Sequence, residues 1–445
     1  MKTNNNLPVA VIGAGPVGMA AIAHLAKRNI PFVLFEAGTS VGSSILSWEH
    51  IKVFSTWKYN IDKVAKELLL KTDWIEPNED DTHTGRELVD LYLKPLSEVA
   101  QLKEFIHTNS KVISIGKKGL DKMKTTNREN VPFVMQVQQE EQILTFEAKA
   151  VIDSTGTWLT PNPIGSGGNY AFGELENASN IFYGIPDVLH KHKMRFANKK
   201  VAVIGGGHSA INTILELEKI KDEFPETEIN WILRKQNMTK VYGGKEDDAL
   251  AARGALGIKI ETLVNAERIN VYTPFQIQEV RKEHGQMMLI GQQNEKRAAI
   301  PGIDEIISNT GSRPDFSFER ELRLNISNTL ESVEALTELI DPNIHSCGTV
   351  RAHGELELKH PEKDFYIVGS KSYGRAPTFL MATGYEQVRS IVAALDGDIE
   401  AARKVELDLP QTGVCSTGGD GCDTEDSCCS VKPAEVKSHK TSCCG

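Results

Sequence analysis

The sequence predicts an α/β protein with two Rossmann-like dinucleotide-binding domains, the second inserted into a discontinuous first, followed by a disordered Cys-rich tail. Three observations predict it. Two units read as strand, glycine turn, helix and strand, one at the N-terminus and one near residue 205. A Pro/Gly-rich stretch, Thr160 to Gly168, lies between them as a domain crossing. A strand and helix pattern, Phe365 to Gly369 and Met381 to Leu395, then brings the chain back to the first unit. The divisions expected are residues 1–165 and 316–410 for the first domain, 166–315 for the second and 411–445 for the tail.

Length and composition agree with this plan. A chain of 445 residues exceeds the size at which a single core stops growing, about 250–300 residues. Its 40% hydrophobic and 25% charged residues are ordinary for a globular protein. No apolar run approaches the ~20 residues that cross a bilayer, and the polar start is no secretory signal, so a cytoplasmic protein is expected. A net charge of −10 repels nucleic acid.

The first unit runs Pro8 to Ile12, then Gly13-Ala14-Gly15-Pro16-Val17-Gly18, an Ala-rich helix to about Lys27, and the strand Phe32 to Phe35 closing on Glu36. In such a turn the first glycine makes the bend, the second lets a pyrophosphate approach and the third packs helix on strand. Glu36 stands where a carboxylate accepts hydrogen bonds from a ribose and repels a 2′-phosphate. Weakly alternating segments around 112–115, 133–137 and 143–146 suggest an antiparallel excursion. The strand Ala150 to Ile152 and the turn Asp153-Ser154-Thr155-Gly156 follow it.

The second unit runs Lys200 to Ile204, Gly205-Gly206-Gly207-His208-Ser209-Ala210, a helix to about Asp222, and the strand Glu228 to Leu233. This strand closes on Arg234-Lys235, and a guanidinium suits a 2′-phosphate, so NADPH is the expected ligand. His208 and Ser209 either touch the pyrophosphate or simply cap the helix. Ile306 to Asp315 reads as another strand-to-loop return.

The motifs GAGPVG, DSTG, GGGHSA, NTGSRPD and FYIVGSKSYG occur in an order that resembles the two-dinucleotide-binding-domain flavoproteins over about residues 7 to 400. The resemblance implies FAD on the first unit, with contacts at Gly13, Gly15, Gly18, Glu36, Asp153, Thr155, Gly156 and Gly369. No cysteine follows the first fingerprint closely and none lies between residues 200 and 346, so a dithiol relay beside a flavin is absent. Molecular oxygen is the acceptor that remains. The stretch SILSWEHIKVFSTWKYNID brings Trp48, Phe54, Trp57 and Tyr59 together as a possible dry wall, or as ordinary core aromatics. With the motif order it resembles FMO and Baeyer–Villiger-type flavin monooxygenases, in particular a bacterial subgroup found beside arsenic-resistance and cation-efflux genes. That family's linker fingerprint, F-x-G-x-x-x-H, is missing its histidine here: the chain reads FGELENASNIFYGIPD from Phe172.

Arg313, Lys371 and Tyr373 are the candidates for proton and charge management near the flavin. Six of seven cysteines follow residue 410, among them the vicinal pairs Cys428-Cys429 and Cys443-Cys444. Adjacent soft thiolates chelate soft ions, and the terminal SCCG resembles the C-terminal cysteine pair of mercuric reductase. A thiophilic metalloid such as trivalent arsenic is therefore the expected ligand of these four, with a redox-active tail or an idle appendage as alternatives. The expected function is NADPH-dependent flavin monooxygenation of a small soft nucleophile or metalloid. An oxidase or reductase serving a diffusible acceptor, and a non-catalytic metalloid-binding flavoprotein, remain the alternatives.

Overall fold

The structure is a computed structural model that describes residues 6–236, 238–243, 251–342, 344, 350–377 and 379–407. The tail and Cys347 lie outside the described residues.

The chain begins with β1 (Val9–Ile12), α1 (Pro16–Lys27) and β2 (Phe32–Phe35). Every residue of β1 is buried, because helices cover both faces of a parallel sheet, and a continuous apolar run rather than alternation results. Proline at N1 starts α1, and Ala20, Ala21 and Ala23 let it lie close to its neighbours. A short antiparallel pair follows, β3 (Lys52–Thr56) with β4 (Thr82–Thr84), enclosing α2 (Lys63–Leu69). The Asp62 side chain caps α2 by accepting from the amides of Val64 and Ala65. Next come β5 (Ile106–His107), a meander of β6 (Lys111–Lys117), β7 (Phe133–Gln139) and β8 (Gln142–Ala148), and then β9 (Ala150–Asp153).

The second half repeats this plan. After β10 (Ile181–Tyr183) come β11 (Lys200–Ile204), α3 (His208–Ile220) and β12 (Glu228–Ile232). Then follow α4 (Ala251–Asn265), β13 (Asn270–Tyr272), a meander of β14 (Phe275–Glu283), β15 (Gln286–Gln293) and β16 (Lys296–Ile303), and β17 (Glu305–Ser308). The chain returns through β18 (Phe365–Ile367), α5 (Met381–Leu395) and α6 (Ile399–Arg403).

The two parallel sheets have matching orders, β18-β9-β1-β2-β5 and β10-β17-β11-β12-β13. In both, the strand that opens the unit sits at the centre, with Val9 opposite Phe32 and Ala150 in the first, and Val201 opposite Ile229 and Glu305 in the second. Because β18 pairs with β9, the first sheet is completed by residues that follow the entire second one, which is the insertion expected from the motif order. The meander β14 to β16 was not anticipated. Its charged, exposed outer residues hide the alternation of Phe275, Ile277, Met287, Leu289, Ile300 and Ile303, which form a core with Ile204 and Ile232.

The two crossings between halves are laced into a ribbon. Pro161 bridges to Ser312, the Asn162 amide donates to the Gly311 carbonyl at 2.9 Å and the Arg313 amide to the Thr160 carbonyl at 3.0 Å.

Candidate functional site

Both glycine turns sit at the carboxyl ends of their sheets, where α/β folds take ligands. In the first, Gly13 has φ +95° and a Cβ on Gly18 would lie 1.9 Å from the Gly13 carbonyl oxygen, so α1 can approach β1 only with glycine there. Gly15 is the N-cap of α1; no side chain caps the helix, and a Cβ on Gly15 would meet nothing within 4 Å. The second turn repeats this: Gly205 has φ +134°, Gly207 caps α3 without a side-chain partner, and the space before Gly207 is open. Free amides facing open space at a helix start fit a pyrophosphate. Since the N-cap of α3 is Gly207, neither His208 nor Ser209 caps it; both are inside the helix, and the capping alternative is corrected.

Glu36 binds the loop it follows. Its Oε2 accepts from the Ala14 amide and its Oε1 from the Gly38 amide, both at 2.7 Å. Ser154 ties the 153–156 turn to the glycine turn, its Oγ donating to the Ile12 and Gly13 carbonyls at 2.8 and 3.0 Å. A Cβ on Gly156 would lie 3.3 Å from Ser370 Oγ, and Gly369, at φ +70°, donates its amide to Gln387 of α5 at 2.8 Å. Residues 13–18, 36, 153–156 and 369 therefore converge on one place, as expected for a single ligand. The Asp153 carboxylate is spent internally, accepting from the Thr155 amide at 2.9 Å and from Lys371.

At the second turn, Arg234 is exposed at the end of β12, with one guanidinium nitrogen donating to the Ser166 carbonyl at 3.2 Å. It forms one wall of a cavity of about 490 Å³ whose other walls are the glycine-rich 165–167 loop, Asn169 to Ala171 and Gln276 to Gln278. Lys235 follows, its carbonyl accepting from Thr273 Oγ1. Ala210 is fully buried at the position where the first turn has Gly18. On the far face of α3, burial pushes the Glu216 carboxyl up to about 7 against the pull of the Lys219 ammonium, and its Oε2 has no hydrogen-bond partner.

The expected aromatic cluster divides in two. Trp57 is buried against the His83 ring, centroids 3.9 Å apart. Phe54 instead faces the other half of the molecule, meeting the His208 ring edge-on at 5.3 Å, and Trp48 lies 6.2 Å from Trp158 just before the crossing. Trp158 packs on Gly184, where a Cβ would sit 3.4 Å from its ring. The sequence reading missed Trp158. Its signal is a lone tryptophan two residues after the DSTG turn.

Lys371, Tyr373 and Arg313 each make contacts within the fold. Lys371 is fully buried, its ammonium shared between Asp153 and Glu319, so it is no surface charge. Tyr373 is buried between the Phe379 and His353 rings, and burial raises its phenol well above the usual range. Arg313 holds the crossing ribbon, its Nε donating to Asn162 Oδ1 at 3.0 Å and its guanidinium lying 3.5 Å from Glu331. No cluster of metal-binding side chains occurs among the described residues, and Cys428, Cys429, Cys443 and Cys444 lie outside them. No helix among the described residues is long and apolar enough to cross a membrane.

Comparison with known proteins agrees with this geometry. The family described as Pyridine nucleotide-disulphide oxidoreductase matches residues 10–348. Ferredoxin–NADP reductase of Enterococcus faecalis is 25% identical over 265 residues, 56% of this chain and 68% of that protein. Flavin-containing monooxygenase 1 of Rattus norvegicus is 26% identical over 211 residues, 47% of this chain but only 37% of that protein. Among solved structures, a bacillithiol disulfide reductase from Staphylococcus aureus shares the fold at TM-score 0.62 and 17% identity, covering 87% of this chain and 98% of that one. The chain belongs to the pyridine nucleotide-disulphide oxidoreductase family.

Proposed function

We propose that this oxidoreductase is a flavin monooxygenase whose substrate is a small soft nucleophile or a metalloid such as a trivalent arsenical. One observation carries the reading: Phe54 meets the His208 ring at the start of the second glycine-turn helix edge-on at 5.3 Å, Trp48 lies 6.2 Å from Trp158, and the chain has no cysteine before residue 347 to take electrons from a flavin. Gly13, Gly15, Gly18, Glu36, Thr155, Gly156 and Gly369 would hold FAD. Gly205, Gly207 and His208 would hold the pyrophosphate of NADPH, and Arg234 and Lys235 its 2′-phosphate. FAD held by these residues would supply the redox chemistry between a nicotinamide and oxygen. The protein's share would be to align the two ligands and to keep water out, for which the Trp48–Trp158 pair offers apolar surface.

A reductase serving a diffusible acceptor is the second reading, favoured by the missing linker histidine. That region is built on Glu174 instead, a buried carboxylate accepting from the Ile164 and Ala171 amides and the Tyr183 hydroxyl. The tail pairs Cys428-Cys429 and Cys443-Cys444 would gather the metalloid. NADPH consumption under air, followed together with hydrogen peroxide and oxygenated product, separates the readings. A monooxygenase yields product and suppresses peroxide when arsenite, a trivalent methylarsenical or a thioether is added. Peroxide equal to NADPH with every such compound, or full turnover on ferricyanide without oxygen, overturns it. Truncation at Pro410 is expected to abolish stoichiometric arsenite binding.

A further inference from the structure

Three ionisable groups lie together in the interior beside the first glycine turn. Lys371 and Asp153 are 0% exposed and Glu319 is 1% exposed. The Lys371 ammonium donates to Asp153 Oδ2 and, at 2.7 Å, to Glu319 Oε1. The rings of Phe316 and Phe318 lie 5.1 and 4.5 Å from the same nitrogen and shut it off from water. Glu319 Oε2 is buried with no hydrogen-bond partner.

These groups come from three distant segments. Asp153 ends β9 and starts the turn whose Ser154 holds the Gly13 carbonyl. Lys371 sits two residues after Gly369. Glu319 belongs to the return from the second half, a segment that otherwise touches the first site nowhere in sequence. The cluster thus fastens the 153–156 turn and the 369–373 turn to each other from behind.

Its charge does not balance if all three ionise. Two carboxylates would face one ammonium, leaving a negative charge out of water that no charged group packed against it among the described residues offsets. The strand β6 packs on residues 317–319, but Lys111 is exposed and the Lys117 ammonium is turned onto the Phe133 ring and the Val131 carbonyl. Neighbouring Arg320 is exposed, and the Glu321 carboxylate accepts from the Lys122 amide. From α5, Gln387 is neutral and its amide points to His353 and Ser372. Burial and the Asp153 charge hold the Glu319 carboxyl well above the usual range. Asp153, despite its burial, is held below that range by Lys371.

We propose that Glu319 is a neutral carboxylic acid, that the Asp153–Lys371–Glu319 cluster carries one shared proton, and that this cluster is a positioning lock for the two turns that hold FAD. The lock rests on reading the first turn as the FAD site. Ionisation of Glu319 releases one proton to solvent, leaves the cluster with one net negative charge and loosens both turns, so flavin affinity falls as pH rises.

Two measurements on the full chain test it. Infrared difference spectra of the flavin-free protein are expected to show the carbonyl stretch of a protonated carboxyl at neutral pH, absent in E319Q. Flavin titration of the same protein between about pH 6 and 10 is expected to show affinity falling by up to about tenfold per pH unit above the point where that band disappears. E319Q, which keeps the neutral shape, is expected to bind flavin without that pH dependence, and E319A to bind weakly throughout. Absence of the band, or an alkaline loss in E319Q equal to wild type, overturns the lock. Should E319Q fail to fold, the wild-type band must still titrate in step with flavin release. A protein with the band that takes up no flavin at any pH keeps the shared proton and refutes the FAD site instead.

Discussion

The two glycine turns of this molecule are copies in outline and opposites in how they are held. The first is braced by charge: Glu36 grips two amides of its own loop, Ser154 grips the turn from behind, and a buried ion cluster fixes the adjoining segments. The second is braced by neutral groups, the Trp231 indole donating to the Gly205 carbonyl at 2.8 Å and Asn309 donating to the Gly184 carbonyl at 2.8 Å. Its Arg234 stands exposed at the rim. The helices behind them differ in the same sense. On α1 the buried His24 is paired with Asp62 at 3.1 Å, whereas on α3 the Glu216 Oε2 has no partner. A tightly braced turn suits a ligand that stays, and a loosely braced one suits a ligand that comes and goes each cycle.

The sharpest way to break this comparison is at the helix-packing position. G18A puts a methyl group 1.9 Å from a backbone oxygen, so the strand and helix must part. A colourless protein is expected, with flavin content down by more than about tenfold and stability down by about 1–3 kcal/mol. The mirror change, A210G, is expected to cost about 1 kcal/mol and leave flavin content unchanged. Absorbance per chain and urea denaturation read both. A G18A protein that remains yellow would show that the first turn is not held by this contact.

R234A comes next. Loss of a charged partner for a 2′-phosphate is expected to cost about 1.5–3 kcal/mol, raising the KM for NADPH about tenfold or more and leaving that for NADH unchanged. Equal losses for both would mean that Arg234 only shapes the cavity wall.

The smallest effect lies on α3. Because the folded-state pKa of Glu216 is raised from 4.5 to about 7, its contribution to stability is complete below pH 4.5 and is lost as pH rises through about 7. E216Q escapes that loss. It is expected to match wild type in relative stability across the acid range and to gain about 2 kcal/mol above pH 7 once partial solvation is discounted. Melting temperature against pH measures it, and a constant offset at all pH values would sink the assignment.

What the sequence made legible was whatever depends on local backbone geometry. The strands 32–35 and 200–204 and the helix 381–395 fall where expected, because a glycine turn or a long apolar stripe marks them. Residues joined only by tertiary contact were hidden. Nothing near Glu319 announces that it will meet Lys371, and Trp158 stands alone in sequence yet completes a wall with Trp48. For Trp57 the sequence left a dry wall and a core position open, and contact with the His83 ring of β4 places it in the core. Arg313, Lys371 and Tyr373 were read as reactive because they adjoin return motifs. What their sequence positions could not show is the company each keeps: Arg313 with Asn162 in the crossing ribbon, Lys371 with Asp153 and Glu319, Tyr373 with Phe379 and His353.

The two crossings paired at Pro161 and Ser312 have a mechanical consequence. Two separate tethers at different points would hold one half of the molecule rigidly to the other, like a door hung on two walls. Stitched together, they act as one strap, which resists stretch and sideways slip but yields readily to twist. A rotation of one half against the other about that strap would leave the hydrogen bonds of both sheets undisturbed.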